Sequence, residues 1–238
     1  MVVQVREGLR LLTVTSPSGP RVLVATAVPA ELEAVARGLP AGSGVDVVTV
    51  GVGPAAAAAA TALHLGVAAQ HDQAYDLVIS AGIGGGFAPD APLGSVVVAD
   101  EITVADLGAE TPEGFAPVTE LGFGAVTHRP PLSLVRDVAG ACGAARGTVL
   151  TVSTVTGSAE RAAELRLRHP RALAEAMEGF GVAEAAALHG LPVLEVRAVS
   201  NAVGPRDRAA WRIGDALTAL SDAFGKFAPV LRSWNTHD

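Results

Sequence analysis

The chain has 238 residues and a formal net charge of −7, and 50% of its residues are hydrophobic. This length suits one large α/β domain or two small ones, while the negative charge and scattered basic residues argue against a nucleic-acid partner. The lone cysteine, Cys142, excludes an internal disulfide framework and a cysteine-based zinc site, and the six histidines lack metal-ligand spacing.

The first 20 residues lack the continuous apolar core and the small-residue cleavage site of a signal peptide. No apolar run in the chain approaches the roughly 20 residues that a membrane span needs. Because the segment ends in the breaker cluster SPSGP, we expect residues 1–20 to be an N-terminal extension and residues 21–238 to form a single domain. A cytoplasmic protein without a membrane partner is the resulting expectation.

From residue 21 onward, apolar strand-like runs alternate with helix-like segments. Residues 21–27 (RVLVATA) precede a helix that begins at Pro29, because proline fits a first helical turn. Further strands are expected at residues 45–53, 75–80, 95–104, 147–154 and 191–200, and helices at residues 54–69, 158–169 and 207–231, with turn-rich sequence up to about residue 128. The alternation predicts one three-layer α/β domain, with a largely parallel sheet covered on both faces.

Ligands of such sheets bind at the carboxyl ends of the strands, so the residues that follow each strand are the candidates. The glycine segment SAGIGGG (80–86) follows one strand, but it lacks the G-x-G-x-x-G spacing and the Lys-Ser/Thr of a phosphate-binding loop. It is either a loop whose backbone approaches a flat ligand closely or a tight connection without a ligand.

Two acids stand at helix starts near these strand ends. Glu31 lies in the first turn after residues 21–27, where the helix dipole alone favours an acid. Glu178 lies among small and apolar residues, and a carboxylate buried there without partners would cost several kcal/mol. The two hydroxyls of a ligand diol would be suitable partners, whereas the alternative is a capped helix start with Glu178 in solvent.

Four larger side chains near the strand ends can belong either to a binding site or to the ordinary core and surface. Phe180 and Trp211 can wall an apolar pocket or belong to the core. Arg206 and Arg208 are surface charges unless the substrate is anionic.

Several segments, in their order along the chain, resemble the nucleoside phosphorylase and hydrolase superfamily. Residues 79–101 resemble its glycine segment and following strand, and residues 172–201 its Met-Glu motif, helix, strand and terminal Ser-Asp/Asn. Within the superfamily, ATAVPAELEAV (25–35), TVSTVTGSAERAAEL (151–165) and RAVSNAVGPRDRAAW (197–211) are most similar to the futalosine hydrolase family, which is akin to the 5′-methylthioadenosine/S-adenosylhomocysteine nucleosidases.

The resemblance implies a three-layer α/β/α fold with a twisted mixed, mostly parallel central sheet. It also implies an enzyme without a cofactor or metal, which forms a homo-oligomer (a dimer or higher). The implied reaction is hydrolysis of the N-ribosyl bond of futalosine in menaquinone biosynthesis, which releases hypoxanthine and dehypoxanthine futalosine.

Residue roles follow from the same resemblance. Glu31 matches the acid that activates the attacking water, Glu178 matches the ribose-binding glutamate, and Asn201 matches the base-binding position. Met177 would pack under the sugar. The base would be bordered by Gly82, Ile83, Gly84, Thr154, Thr156 and Phe180.

Asn201 carries the base preference. The adenine-specific relatives have Asp at this position, whereas a 6-oxopurine presents acceptors at both O6 and N7, to which the amide NH₂ of Asn can donate. The expected substrate is therefore a 6-oxopurine nucleoside. Futalosine also carries an aryl carboxylate at its 5′ end, for which Trp211 would supply an apolar wall and Arg206 or Arg208 a cation.

Three alternatives remain open at the level of sequence. A 5′-methylthioadenosine/S-adenosylhomocysteine nucleosidase is opposed by Asn201. A purine nucleoside phosphorylase is opposed by the glycine segment, which has no hydroxyl or arginine for phosphate beyond Ser80, and by Glu31, which would repel phosphate. The third alternative is a non-catalytic module that binds nucleosides.

Overall fold

A central sheet of eight strands organises residues 19–235, the part of the chain that this computed structural model describes. The N-terminal extension expected for residues 1–20 lies outside that range except for its last two residues. Within the described range, no helix combines the length and the apolar character that crossing a membrane requires.

The elements alternate along the chain much as the sequence predicts. The strands are β1 (Val22–Thr26), β2 (Val45–Thr49), β3 (Leu77–Gly86), β4 (Val96–Val104), β5 (Gly108–Thr111), β6 (Gly114–Pro117), β7 (Thr127–His128), β8 (Ala145–Thr151), β9 (Ala172–Ala176) and β10 (Val193–Ala202). The helices are α1 (Pro29–Gly38), α2 (Pro54–Gln70), α3 (Leu132–Cys142), α4 (Ala159–Arg168), α5 (Gly179–Leu188) and α6 (Ile213–Ser233).

The strand order is β10-β4-β8-β9-β3-β1-β2, with β7 added beside β4, while β5 and β6 form a separate hairpin. Most pairings are parallel, but β10–β4, β3–β9 and β4–β7 are antiparallel. Because β3 also pairs with β10, the strands β3, β10, β4, β8 and β9 close on themselves. The mixed, mostly parallel sheet expected from the resemblance is confirmed.

Helices cover both faces of the sheet. On one face α1, α3 and α6 share an apolar cluster, to which α6 contributes residues at helical spacing: Ala216, Leu220, Phe224, Phe227 and Leu231. On the other face α2 and α5 pack over a second cluster. The three-layer α/β/α arrangement is therefore confirmed.

The glycine segment corrects one prediction, because it is a strand and not a loop. β3 continues to Gly86 and pairs with β10 along that length. A methyl group on Gly84 would lie 2.8 Å from the carbonyl oxygen of Glu175, and one on Gly86 would lie 2.2 Å from that of Ala91. The glycines therefore let the backbone of neighbouring segments come close to β3. Composition alone does not distinguish glycines with this role from glycines in a turn.

Other elements also differ from the prediction. Helix α3 and the short strands β5, β6 and β7 were not predicted. Strand β9 was not predicted either, since residues 172–176 (ALAEA) have a helix-like composition. The last helix begins at Ile213 instead of residue 207, because Arg208–Ala210 form a separate 3₁₀ turn.

Candidate active site

A cavity of about 250 Å³ opens where β1, β3 and β10 end and α5 begins. The structure brings most of the predicted site residues together around it. Those that line it are Glu31, Ile83, Gly84, Thr156, Met177, Glu178, Asn201, Arg206 and Trp211.

Four predicted residues do not line this cavity. Gly82 lies behind Glu31, and Thr154 and Arg208 are exposed. Phe180 belongs to the apolar core, where its ring lies 5.2 Å from the His128 ring, centroid to centroid.

Glu31 is held in one orientation by the backbone. It is only 4% exposed although it stands in the first turn of α1. One carboxylate oxygen accepts the N–H of Ala27 at 2.9 Å and that of Val28 at 3.3 Å, and the other accepts the N–H of Ile83 at 2.9 Å. An acid that served only the helix dipole would not need a contact with β3.

Glu178 precedes α5 and is likewise buried, with 6% of its surface exposed. Its Oε1 accepts the N–H of Gly53 at 3.2 Å, and its Oε2 lies 3.5 Å from Nη1 of Arg197. The interpretation of a helix cap in solvent is therefore wrong. The remaining acceptor positions of Glu178 face a cavity that it lines.

Sequence reasoning missed Arg197, which contacts Glu178 and lies near Glu31. Arg197 is only 1% exposed. Its guanidinium donates from Nε to Glu195 and from Nη2 to the hydroxyl of Ser80, both at 2.8 Å. A methyl group on Gly82 would lie 2.5 Å from Oε1 of Glu31 and 2.6 Å from Nη1 of Arg197. The guanidinium is thus within reach of three carboxylates.

Glu195 is fully buried, and its Oε2 has no hydrogen-bond partner within the described residues. Burial raises the pKa of Glu195 to about 6, although Arg197 acts in the opposite direction. Burial lowers the pKa of Arg197, but Glu195, Glu178 and Glu31 raise it by more, so its net direction is upward. Arg197 therefore stays charged in the core.

A sequence clue to this pair existed. Glu195 and Arg197 occupy alternate positions of an otherwise apolar strand, so they share one face of it. Opposite charges on one face of a buried strand indicate an internal ion pair.

Asn201 marks the opposite end of the cavity and is partly exposed. Its Oδ1 accepts the hydroxyl of Ser200 at 2.9 Å, and its Nδ2 donates to the carbonyl of Ala202 at 3.1 Å. Since an amide NH₂ has two donors, one N–H of Asn201 is left for a ligand.

Glu175 was also missed, although it lines the cavity and is 5% exposed. It accepts the N–H of Thr156 at 2.8 Å and also its hydroxyl. Burial raises the pKa of Glu175, and the two hydrogen bonds from Thr156 oppose that shift.

The mouth of the cavity combines an aromatic ring with cations. The guanidinium of Arg206 lies 5.6 Å from the ring centre of Trp211, and that of Arg208 lies 5.8 Å from it. Arg206 lines the cavity and Arg208 does not.

A larger cleft of about 830 Å³ lies between the β5–β6 hairpin and α4. None of the predicted site residues lines it. The smaller cavity is therefore the candidate active site, because of these two it is the one that gathers buried acids at strand ends.

Comparison with known proteins identifies the family. The model of the phosphorylase superfamily matches residues 21–231. A futalosine hydrolase of Streptomyces coelicolor is 66% identical, over 91% of this chain and 98% of that protein. The chain belongs to the futalosine hydrolase family. A second futalosine hydrolase, of Acidothermus cellulolyticus, is 46% identical over 85% of this chain and 88% of its own length.

Solved structures confirm the fold of this futalosine hydrolase family member. A 5′-methylthioadenosine/S-adenosylhomocysteine nucleosidase from Colwellia psychrerythraea, in complex with adenine, superposes with a TM-score of 0.77 at 21% identity. That match covers 91% of this chain and 98% of the other. One from Neisseria meningitidis, in complex with methylthio-immucillin-A, superposes with a TM-score of 0.72 at 21% identity, covering 90% and 99%. The family resemblance and the N-glycosyl hydrolase class predicted from sequence are confirmed.

Proposed function

We propose that this chain hydrolyses the N-ribosyl bond of futalosine, a step of menaquinone biosynthesis, and releases hypoxanthine and dehypoxanthine futalosine. The observation that carries the proposal is Glu31, a buried carboxylate held by three backbone N–H groups in a cavity that also contains Glu178 and Asn201. The family membership supports the choice of substrate.

Glu31 is the general base of the reaction. Water bound at its carboxylate attacks C1′ while the bond from C1′ to N9 breaks, and Glu31 takes the proton that the water loses. The bonding pair leaves with the purine, and one N–H of Asn201 stabilises the resulting anion by a hydrogen bond. The anion then takes a proton from solvent water, which gives neutral hypoxanthine, and Glu31 returns its proton to solvent. The sugar becomes cation-like on the way, as in O-glycoside cleavage, and the nearby carboxylates stabilise its charge.

Glu178 binds the ribose. The contacts with Gly53 and Arg197 fix its carboxylate. A carboxylate has about four acceptor positions, so enough remain for a vicinal diol. Met177, which lines the same cavity, packs under the sugar.

The negative charge around Glu31 and Glu178 favours water over phosphate as the nucleophile. Phosphate binding needs free cationic or N–H donors. The buried cation here, Arg197, already contacts Glu195 and Glu178, and Glu31 is nearby. The three acids together would repel a phosphate dianion.

At the 5′ end, Trp211 and Arg206 bind the aryl carboxylate. The indole offers an apolar wall, and Arg206 lines the cavity beside it. Arg208 contacts the same ring from outside the cavity, so we assign the carboxylate to Arg206.

The chain acts as a homo-oligomer in the cytoplasm. An apolar surface supports assembly, since Leu63 and Val67 are exposed one turn apart on α2, and Leu188 is exposed at the end of the adjoining α5. A lone cysteine fits a reducing compartment. Light scattering on the purified chain tests the assembly: a mass of two or more chains is expected, which Leu63→Glu lowers, and a monomeric wild type would contradict it.

One chromatogram tests the reaction. The purified chain is incubated with futalosine, inosine or methylthioadenosine, each with and without phosphate. We expect hypoxanthine from futalosine at a rate that phosphate does not change. Preferred release of adenine from methylthioadenosine would indicate the related nucleosidase, ribose-1-phosphate products a phosphorylase, and no product at all a binding module.

A further inference from the structure

Glu175 is a buried carboxylate of the cavity for which the proposed mechanism has no use. It lies on β9, opposite the strand that carries Asn201. Both residues line the same cavity. A buried acid with free acceptor positions is a candidate for ligand recognition.

The sheet register sets Glu175 and Asn201 on either side of one glycine. Gly85 of β3 pairs with Glu175 on one side and with Asn201 on the other. Directly paired residues of adjacent strands project to the same face, and the Cα atoms are two strand spacings, roughly 10 Å, apart. Gly85 has no side chain of its own, and Cγ2 of Val203 lies 2.9 Å from the position that its Cβ would take. The space open to a flat ring is the cavity that Gly85, Glu175 and Asn201 line together.

Asn201 can pair with only some of the hydrogen-bonding groups of a 6-oxopurine. The base offers acceptors at O6 and N7 and one donor, N1–H. The hydroxyl of Ser200 donates to Oδ1 of Asn201, and one N–H of the amide donates to the carbonyl of Ala202, so the other N–H can donate to O6 or N7 of the base. Because N1–H projects from the edge of the ring that faces away from N7, an amide that donates at N7 does not reach it, and a second acceptor is needed there.

Glu175 has the capacity to accept it. Within residues 19–235, its hydrogen bonds come from the N–H and the hydroxyl of Thr156. Those bonds use two of about four acceptor positions of a carboxylate and hold its orientation.

We propose that Glu175 accepts the N1–H of the departing 6-oxopurine and thereby determines, with Asn201, the selectivity for this base. Adenine has a lone pair at N1, which would face the carboxylate without a proton between them. The inference rests on the proposed function, because it assumes that the base binds at Asn201.

Paired variants test the role. Glu175→Gln replaces the anionic acceptor and keeps the size of the side chain. Glu33→Gln makes the same change at an exposed acid that does not line the cavity. For each enzyme, kcat/KM is measured with futalosine and with its 6-amino analogue. We expect Glu175→Gln to lower the ratio of futalosine to the analogue by about 10- to 100-fold, and Glu33→Gln to leave the ratio within about two-fold of wild type.

An equal loss of kcat/KM on both substrates in Glu175→Gln, with thermal unfolding unchanged, would overturn the proposal, since it would show that Glu175 only holds the segment around Thr156.

Calorimetry with free bases provides a readout that does not require turnover. Wild type is expected to bind hypoxanthine at least about 10-fold more tightly than 1-methylhypoxanthine, which lacks the N1–H donor, and Glu175→Ala, which removes the acceptor and leaves room for the methyl group, to lose that difference. Equal binding of both bases by wild type would overturn the inference even if futalosine is hydrolysed. Conversely, this difference can appear when futalosine is not hydrolysed, in which case the proposed function alone fails.

Discussion

The two ends of the cavity differ in how firmly the fold holds their side chains. At one end, Glu31 and Glu178 are 4% and 6% exposed, and backbone N–H groups bind both. At the other, Asn201 and Trp211 are partly exposed and Arg206 is exposed. The rigid end has the groups that move protons and stabilise charge, and the open end has those that recognise the base and the 5′ group. We infer that rate and selectivity are controlled at different ends.

The largest expected effect is at the rigid end. Glu31→Gln keeps the shape of the side chain but removes the general base, and we expect kcat to fall by about 10²- to 10⁴-fold. Steady-state kinetics with futalosine measure it. Glu33→Gln is the matched control, because Glu33 is exposed on the same helix, and it is expected to leave kcat unchanged. Unchanged hydrolysis in Glu31→Gln would show that another group activates water.

A pair of glycines probes both ends with the same small change. A methyl group at position 82 would lie 2.5 Å from Oε1 of Glu31, whereas one at position 85 would lie 2.9 Å from Cγ2 of Val203 and 3.2 Å from Nδ2 of Asn201. Because a misplaced catalytic group costs about 100-fold, Gly82→Ala should lower kcat on all substrates by about that factor. Gly85→Ala should instead alter the preference between bases. The same kinetic pattern in both variants would remove the distinction between the ends.

The buried Glu195 makes the rigid end sensitive to pH. Its pKa is raised to about 6 in the folded chain, above the ordinary value of 4.5. The folded state therefore binds this proton more tightly than the unfolded state, and the contribution to stability is lost as pH rises from about 4.5 to about 6, by about 2 kcal/mol. Chemical denaturation of wild type and Glu195→Gln measures it. The free energy of unfolding of the variant, relative to wild type, should rise over that interval, and a constant or falling difference would contradict the prediction.

The open end should control the base. Asn201→Asp replaces the amide donor by a carboxylate that accepts from a 6-amino group, and an unpaired hydrogen bond in a site costs about 1–3 kcal/mol. We expect the ratio of kcat/KM for futalosine to that for its 6-amino analogue to fall by about 10-fold or more. An unchanged ratio would mean that Asn201 does not read the base.

The smallest effect is expected at the exposed arginines. Arg206→Ala removes the cation that lines the cavity, and we expect KM for futalosine to rise by about five-fold, since solvent screens the contact. Arg208→Ala serves as the control because Arg208 stands outside the cavity. If the KM for futalosine were the same in Arg206→Ala and Arg208→Ala, the aryl carboxylate would not bind at Arg206.

The sequence predicts the fold and the residues of known family motifs, but it predicts tertiary contacts poorly. The alternation of apolar runs and helices locates most elements, and the motif resemblance points to Glu31, Glu178 and Asn201. The glycine segment 80–86 is predicted wrongly because its pairing with β10 lies outside local propensity. Residues 172–176 become a strand for the same reason.

The missed site residues have a similar explanation. Glu175, Glu195 and Arg197 belong to segments that look like ordinary strand or helix sequence, and their burial becomes visible only when β3, β9 and β10 are brought together. Charged residues on alternating positions of an apolar strand were the available clue for the last two.

The most direct test of the division between the ends is a single ratio, kcat/KM for futalosine over kcat/KM for its 6-amino analogue, measured in wild type, Glu31→Gln and Asn201→Asp. We predict that Glu31→Gln lowers both constants by the same factor and leaves the ratio at the wild-type value, and that Asn201→Asp lowers the ratio. A ratio that changes in Glu31→Gln, or that stays constant in Asn201→Asp, would contradict the account.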